Sequence, residues 1–371
     1  MRALLRRCLA AVLLALALPT CAGAEVPATH LAVLARGVNF TNWFRYPSRQ
    51  DDAHFRDYIS DAALAELRRA GFTFVRLAAQ PELMLRDGRP DPHRLTLLAA
   101  AVARIERSGL GVMVGWHPQT WNLENSAAQQ QQLQDLWGAL APLLRTLDPA
   151  RTFPEVMNEP VFDKREPQWE ALQAKVLARI RAALPRATVV LTGTNWGSVD
   201  GLTGLHPLAD DNVVYSFHIY EPPLLTSLGS FDGSLDHAAL AHLPYPVVGA
   251  HACDAAEQAT LQPHTRDAIR FYCSEHWDAA KLRALIDRAA EWGRRNHAAV
   301  VCGEFGASDQ LPPVTRLAWI TDMRRALQAD SIGWAIWGYD DSMGFDIHPD
   351  RFPHRTLDPA LLRALGLPGH G

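Results

Sequence analysis

The chain is poor in the features that mark several protein classes. It has 5 cysteines in 371 residues, and no two of them stand in a C-x-x-C pair. An H-E-x-x-H run is also missing, so the familiar metal-ligand spacings are excluded and neither a metal nor a cofactor is expected. Neither charge sign dominates. A formal net charge of -4 offers no basic stripe for phosphates and no polybasic segment for a lipid surface, so nucleic acid and membrane are not expected partners. Beyond the first two dozen residues no apolar run approaches the length of a bilayer-spanning helix. No Ser/Gly/Pro-rich linker divides the chain, and a single domain, acting as a monomer, is expected.

What is present argues for a large folded core: hydrophobic residues make up 48% and charged residues 20%. The 11 tryptophans are many for this length. Part of them belongs to the core, and the rest offer flat apolar faces on which a sugar ring can rest. The N-terminus reads as a secretory signal peptide over residues 1–24. Met1 to Arg7 carry three arginines, Cys8 to Leu18 are nearly all apolar, and Ala22-Gly23-Ala24 gives a small-x-small cleavage site. The mature chain, 25–371, is then exported to a periplasm or the medium. Thr20 before Cys21 argues against a lipidated cysteine. Cleavage leaves Cys253, Cys273 and Cys302 in an oxidising compartment. A Cys253–Cys273 disulfide is expected, since closing a loop of about 20 residues contributes roughly 3 kcal/mol. Cys302 is then a free, buried thiol in an apolar strand.

Short apolar runs alternate with long amphipathic stretches from end to end, the pattern of a parallel α/β fold. Eight strand candidates can be counted: Arg36–Trp43, Phe72–Ala79, Leu110–His117, Thr152–Asn158, Thr188–Trp196, Asn212–Tyr220, Ala298–Phe305 and Ser331–Tyr339. Helical stretches lie between them, among them Pro92–Ser108, Gln129–Arg145, Pro167–Leu184, Asp278–Asn296 and Val314–Ala329. Eight such units favour a closed (β/α)8 TIM barrel over an open doubly wound sheet. The 221–277 connection has no strong periodicity and reads as an elaborated wall of a substrate cleft.

In such a barrel the chemistry sits at the C-terminal ends of the strands. Those ends carry Arg76, His117, Asn158-Glu159-Pro160, Asn195-Trp196, His218-Ile219-Tyr220, Gly303-Glu304-Phe305-Gly306 and Trp337. Strand alternation directs Glu304 into the mouth with Cys302 beneath it, sets His218 and Tyr220 on the inner face, and leaves Glu155 as a buried acid that Arg76 can answer. Two glutamates on different strands suit glycoside hydrolysis, in which one acid must carry a proton while the other is ionised. Arg76 and the Tyr220 phenol can hold Glu304 ionised, whereas a less compensated Glu159 keeps a raised pKa. For a retaining enzyme the two carboxyl groups should lie roughly 5 to 5.5 Å apart.

The ordered set of strand-end motifs resembles glycoside hydrolase family 5, the cellulase family of clan A, from Arg36-Gly37-Val38-Asn39 to Trp337. The resemblance implies Glu159 as acid/base, Glu304 as nucleophile, and Asn158 on a sugar 2-hydroxyl. It further implies Arg76, His117, His218, Tyr220 and Trp337 as supporting residues, with Trp337 beneath the sugar at the cleavage point. Trp121 and Trp196 are candidate sugar platforms, with wall packing as the alternative. His117 and His218 can also be read as satisfied core histidines, and Asp340 and Asp341 as solvated loop acids at the mouth. Trp116-His117-Pro118 and the 221–277 insertion depart from the family pattern. An endo-β-1,4-glucanase acting on polysaccharide is the leading expectation. A mannanase, a β-1,3-glucanase, an exopolysaccharide-trimming hydrolase, a non-catalytic glycan-binding protein and a metal-dependent hydrolase remain alternatives.

Overall fold

The computed structural model describes residues 26–351 and 355–368. The expected signal peptide lies outside them. Eight parallel strands close into a barrel in sequence order: β1 (Arg36–Phe44), β2 (Phe74–Ala79), β3 (Gly111–Trp116), β4 (Thr152–Glu155), β5 (Val189–Thr192), β6 (Val213–Ile219), β7 (Ala299–Phe305) and β8 (Gly333–Ile336), with β8 returning to β1. β2, β3 and β6 are buried on both faces, which is why they read as mostly apolar runs. Crossover helices start where local chemistry allows. Asp91 accepts from the His93 and Arg94 amides ahead of Pro92–Arg107, and Asp278 accepts from Lys281 ahead of Ala279–Asn296.

Two apolar cores result. Phe74, Met113, Phe153, Val190, Val214, Val301 and Ala335 fill the lower interior of the barrel together with Leu34. The short helix Ala28–Val33 closes that end, where the His30 ring nitrogen lies 2.6 Å from the Thr188 hydroxyl. A larger core lies between the strands and the surrounding helices.

The 221–277 connection is more regular than expected. It folds into four short helices, Pro223–Thr226, His237–Leu240, Asp254–Gln258 and Pro263–Ser274. Each of the first three spans at most five residues, too short for helical periodicity to register in sequence. Cys253 and Cys273 are joined in a disulfide with Cα atoms 6.4 Å apart. The insertion is fastened to the helix Pro313–Ala329 by the Tyr245 hydroxyl, which donates to Asp322 at 3.2 Å.

Strand alternation misplaces Cys302. Phe217 pairs with Cys302 and His218 with Glu304, so one extra residue, Gly303, is inserted in β7. The bulge turns Cys302 outward into the helix-side core while Val301 faces the barrel interior. A side chain at Gly303 would come within 2.5 Å of the Ser216 hydroxyl and 3.0 Å of His218 Nε2, so only glycine fits at the bulge.

Candidate active site

Arg76, fully buried on β2, organises the barrel mouth. Its Nε and Nη2 donate to the two oxygens of Glu155 at 2.9 and 2.8 Å. Nη2 also reaches Asn158 Oδ1 at 2.8 Å, and Nη1 donates to Asn39 Oδ1 at 2.9 Å and to Glu304 Oε1. Burial opposes the charge on Arg76, but Glu155 and Glu304 outweigh it and raise its pKa further. Glu155 has room because its neighbour on β3 is Gly115, where a Cβ would lie 2.3 Å from a Glu155 carboxylate oxygen.

Glu304 is 3% exposed at the end of β7. Arg76 binds one oxygen and the Tyr220 hydroxyl donates to the other at 2.9 Å. Burial works against its charge, yet His218, Arg76 and Arg45 prevail and hold the carboxyl below the usual carboxylate range. Burial and the two glutamates push the Tyr220 phenol well above its ordinary value, so it stays a donor.

Glu159 stands in different surroundings. β4 ends at Glu155, and the chain leaves it irregularly, with Glu159 in a left-handed conformation at φ 45°. That geometry brings Asn158 and Glu159 both to the mouth, which strict alternation does not allow. The Glu159 side chain is 27% exposed and contacts His218, whose Nδ1 lies 2.9 Å from Glu159 Oε1 and 3.6 Å from Glu304 Oε1. Oxygens of Glu159 and Glu304 lie within 4.8 Å of each other.

His117, 0% exposed, receives Arg45 Nη1 at Nδ1 (3.2 Å) and stacks on Trp337 with ring centroids 6.1 Å apart. Burial, aided by Arg76, Arg45 and His218, drives its pKa well below 6.5, so the ring is neutral with its proton on Nε2. That Nε2, like His218 Nε2, is buried without a partner among the described residues. Neither histidine is therefore a fully satisfied core residue. Trp337 is 7% exposed. Trp196 is 57% exposed in the left-handed turn Asn195–Gly197, whose Gly197 lies against Glu159 and His218. Trp121 is half-buried against the helix-side core and joins none of these contacts.

Asp340 is a correction: it is fully buried rather than solvated. Its carboxylate accepts from the Thr41 and Asn42 amides, the Thr41 hydroxyl and the Tyr58 hydroxyl, fixing the exit of β1 to the exit of β8. A solvated acid and a buried one look alike in sequence, because the partners here come from residues about 300 positions away. Asn39 was also missed as a site residue. Its Nδ2 donates to the carbonyls of Gly303 and Ile336 at 3.1 Å each, tying β1 to β7 and β8 beneath Glu304. A polar residue between the buried Val38 and Phe40 was the available signal.

Glu159, His218 and Glu304 are, among the described residues, the group gathered closely enough to hold a metal ion. Arg76 already places a fixed positive charge on Glu304, which suits acid/base and nucleophilic chemistry better than cation binding.

A closed parallel barrel with two differently surrounded carboxylates across its mouth defines the class of barrel glycosidases. The chain belongs to the cellulase family, glycosyl hydrolase family 5, whose model matches residues 33–342. Endoglucanase C of Acetivibrio thermocellus is 23% identical over 335 residues, covering 85% of this chain and 94% of the relative. Endoglucanase 3 of Fibrobacter succinogenes is 23% identical over 331 residues, covering 82% of this chain but 49% of the relative, so the chain spans about half of that protein. Among solved structures, Thermotoga maritima Cel5A in complex with mannotriose superposes with a TM-score of 0.73 at 19% identity, covering 91% of this chain and 99% of that one. The cellulose synthase subunit Z of Clostridioides difficile gives 0.70 at 19% identity, covering 89% and 99%.

Proposed function

We propose that this glycosidase is a retaining endo-β-1,4-glucanase in which Glu304 attacks the anomeric carbon and Glu159 moves the proton. The observation that carries this reading is the contrast between two carboxylates whose oxygens come within 4.8 Å of each other. Glu304 is ionised and aimed by Arg76 and Tyr220; Glu159 is partly open to the cleft with no guanidinium on it among the described residues. In the first step Glu304 forms an ester with the sugar while Glu159 protonates the departing glycosidic oxygen. Glu159, now ionised, takes a proton from the water that breaks the ester, and the configuration is retained. His218 Nδ1–H donates to Glu159 Oε1 and leaves Oε2 for the proton that is passed on. Asn158, its Oδ1 held by Arg76, turns its amide nitrogen to the 2-hydroxyl. His117 Nε2–H donates to a further hydroxyl of the sugar resting on Trp337, and Trp196 supports the leaving side.

The endoglucanase relatives support β-1,4-glucan as substrate. Cel5A has been solved with both mannotriose and cellobiose, so mannan belongs in the same panel. Reducing-end assays on barley β-glucan, carboxymethylcellulose and mannan, with anomer-resolved products, test the reading. Retention is expected, and Glu304→Gln should lower kcat on the order of 10⁴-fold or more with an unchanged circular dichroism spectrum. An inverted product, or turnover near wild type in that variant, rejects the nucleophile.

A further inference from the structure

Glu159 is carried by a segment of unusual backbone. Glu159, Phe162 and Lys164 all adopt left-handed conformations, at φ 45°, 41° and 54°. Glu159 is moreover followed by Pro160, which pushes the residue before it toward extended backbone. Such a segment keeps its shape only where its surroundings hold it. Amides of the Asn195–Gly197 turn donate into it, Asn195 to the Val161 carbonyl at 2.7 Å and Trp196 to the Pro160 carbonyl at 3.2 Å, but Asn195 and Trp196 are themselves left-handed. A side chain supplies another hold. Glu124, in the connection between β3 and the helix Ala127–Leu144, accepts from the Phe162 amide with Oε1 at 2.8 Å. Its other oxygen pairs with Arg165 Nη2, and Arg165 Nη1 donates to Asn125 Oδ1 at 3.2 Å. The carboxylate thus closes a strap from Phe162 to the start of the helix Glu166–Ala183.

We propose that Glu124 is a positioning residue for the acid/base, fixing the 159–162 segment so that the Glu159 carboxyl stands against His218 and within reach of the glycosidic oxygen. The inference rests on the reading of Glu159 above and adds to it a residue that acts through the backbone rather than on the sugar. Three physical points favour it. Glu124 is itself anchored, because the Asn122 amide donates to Gln129 Oε1 and Gln130 Nε2 to the Leu123 carbonyl, each at 2.6 Å, fastening its neighbours to the helix Ala127–Leu144. Its side chain is 15% exposed, and a charge-assisted hydrogen bond shielded from water is strong. Finally, His218 is the hydrogen-bond partner that Glu159 has among the described residues, so the place of its carboxyl depends largely on its backbone. A shift of about 1 Å at reacting groups can cost on the order of 10²-fold in rate.

The leaving group separates proton delivery from other losses. Dinitrophenolate departs without a proton, whereas phenolate needs one, and kcat/KM reports the steps up to cleavage of that bond. Phenyl and 2,4-dinitrophenyl β-cellobiosides are compared for wild type, Glu159→Ala, Glu124→Ala and Glu124→Gln. Glu159→Ala sets the scale: kcat/KM on the phenyl substrate should fall on the order of 10²-fold or more, with little change on the dinitrophenyl one. Glu124→Ala should follow the same pattern, losing about 10- to 30-fold on the phenyl substrate and less than about 3-fold on the other. Glu124→Gln, whose amide oxygen still accepts from Phe162, should recover most of that loss. Equal losses on both substrates in Glu124→Ala, as a smaller folded fraction would give, overturn the proposal, and so do unchanged rates on both. If Glu159→Ala itself lost activity equally on both, the acid/base assignment would fall. The leaving-group pattern in Glu159→Ala without its counterpart in Glu124→Ala defeats the positioning role alone.

Discussion

At the lower end of the barrel Phe74, Met113, Phe153, Val190, Val214 and Val301 meet side chain to side chain with no polar atom to satisfy, whereas one floor higher the barrel presents Asn39, Arg76, Glu155, His218 and Glu304. Both floors are buried, but they are held by different physics. The lower one is stabilised by apolar area and tolerates changes of shape at a cost that scales with the cavity left behind. The upper one is a connected set of charges that must be kept whole, because removing one member strands the others without water. The barrel thus keeps its chemistry on the floor where each side chain's position is set by several strands at once.

The largest expected effect comes from breaking the upper floor at its centre. Arg76→Met leaves Glu155 and Glu304 buried without their cation. It should cost about 3–5 kcal/mol in denaturant unfolding and also abolish hydrolysis at temperatures where the variant is still folded. Phe153→Ala sharpens the contrast from below. It should cost a comparable 3–5 kcal/mol, yet kcat on barley β-glucan measured well below its midpoint should stay near wild type. If Phe153→Ala lowered kcat as Arg76→Met does, the two floors would not be separable.

A smaller effect tests the electrostatics of Glu304. Because its folded-state pKa is depressed, the stability it contributes is present above the ordinary carboxyl value and is lost as pH falls through the lower folded one. The acid limb of kcat/KM should accordingly lie below pH about 4.3. Tyr220→Phe removes a donor to the ionised form, so that limb should move up by about one pH unit. A limb that stays where it was would mean that the phenol does not set the charge of Glu304.

Much of this arrangement was legible in the sequence. The eight strand runs, the helices between them and the strand-end positions of Arg76, Asn158, Glu159, His218, Tyr220 and Glu304 follow from periodicity and from the rule that barrel chemistry sits at C-terminal strand ends. The pairing of Arg76 with Glu155 followed as well, because a buried acid on an inner strand face demands a partner. Three features did not follow. The Gly303 bulge shifts the phase of β7 by one residue and reverses Cys302, and a bulge has no signature beyond a glycine. Asp340 reads as a loop acid because the four groups that satisfy it lie far away in the chain. Arg45 carries no motif; its place over Trp337 and against His117 exists only once the ends of β1, β3 and β8 meet at one barrel mouth.

The sequence by itself determined the alternation of strand and helix, the closure number, and the placing of Glu159 and Glu304 at strand ends, since these depend on local periodicity. Tertiary structure alone decided the rest of what surrounds those acids, with His218 against Glu159 and Asn39 beneath Glu304. The free energy of a charge depends on every group within a few ångströms of it, and those groups come from strands distant along the chain.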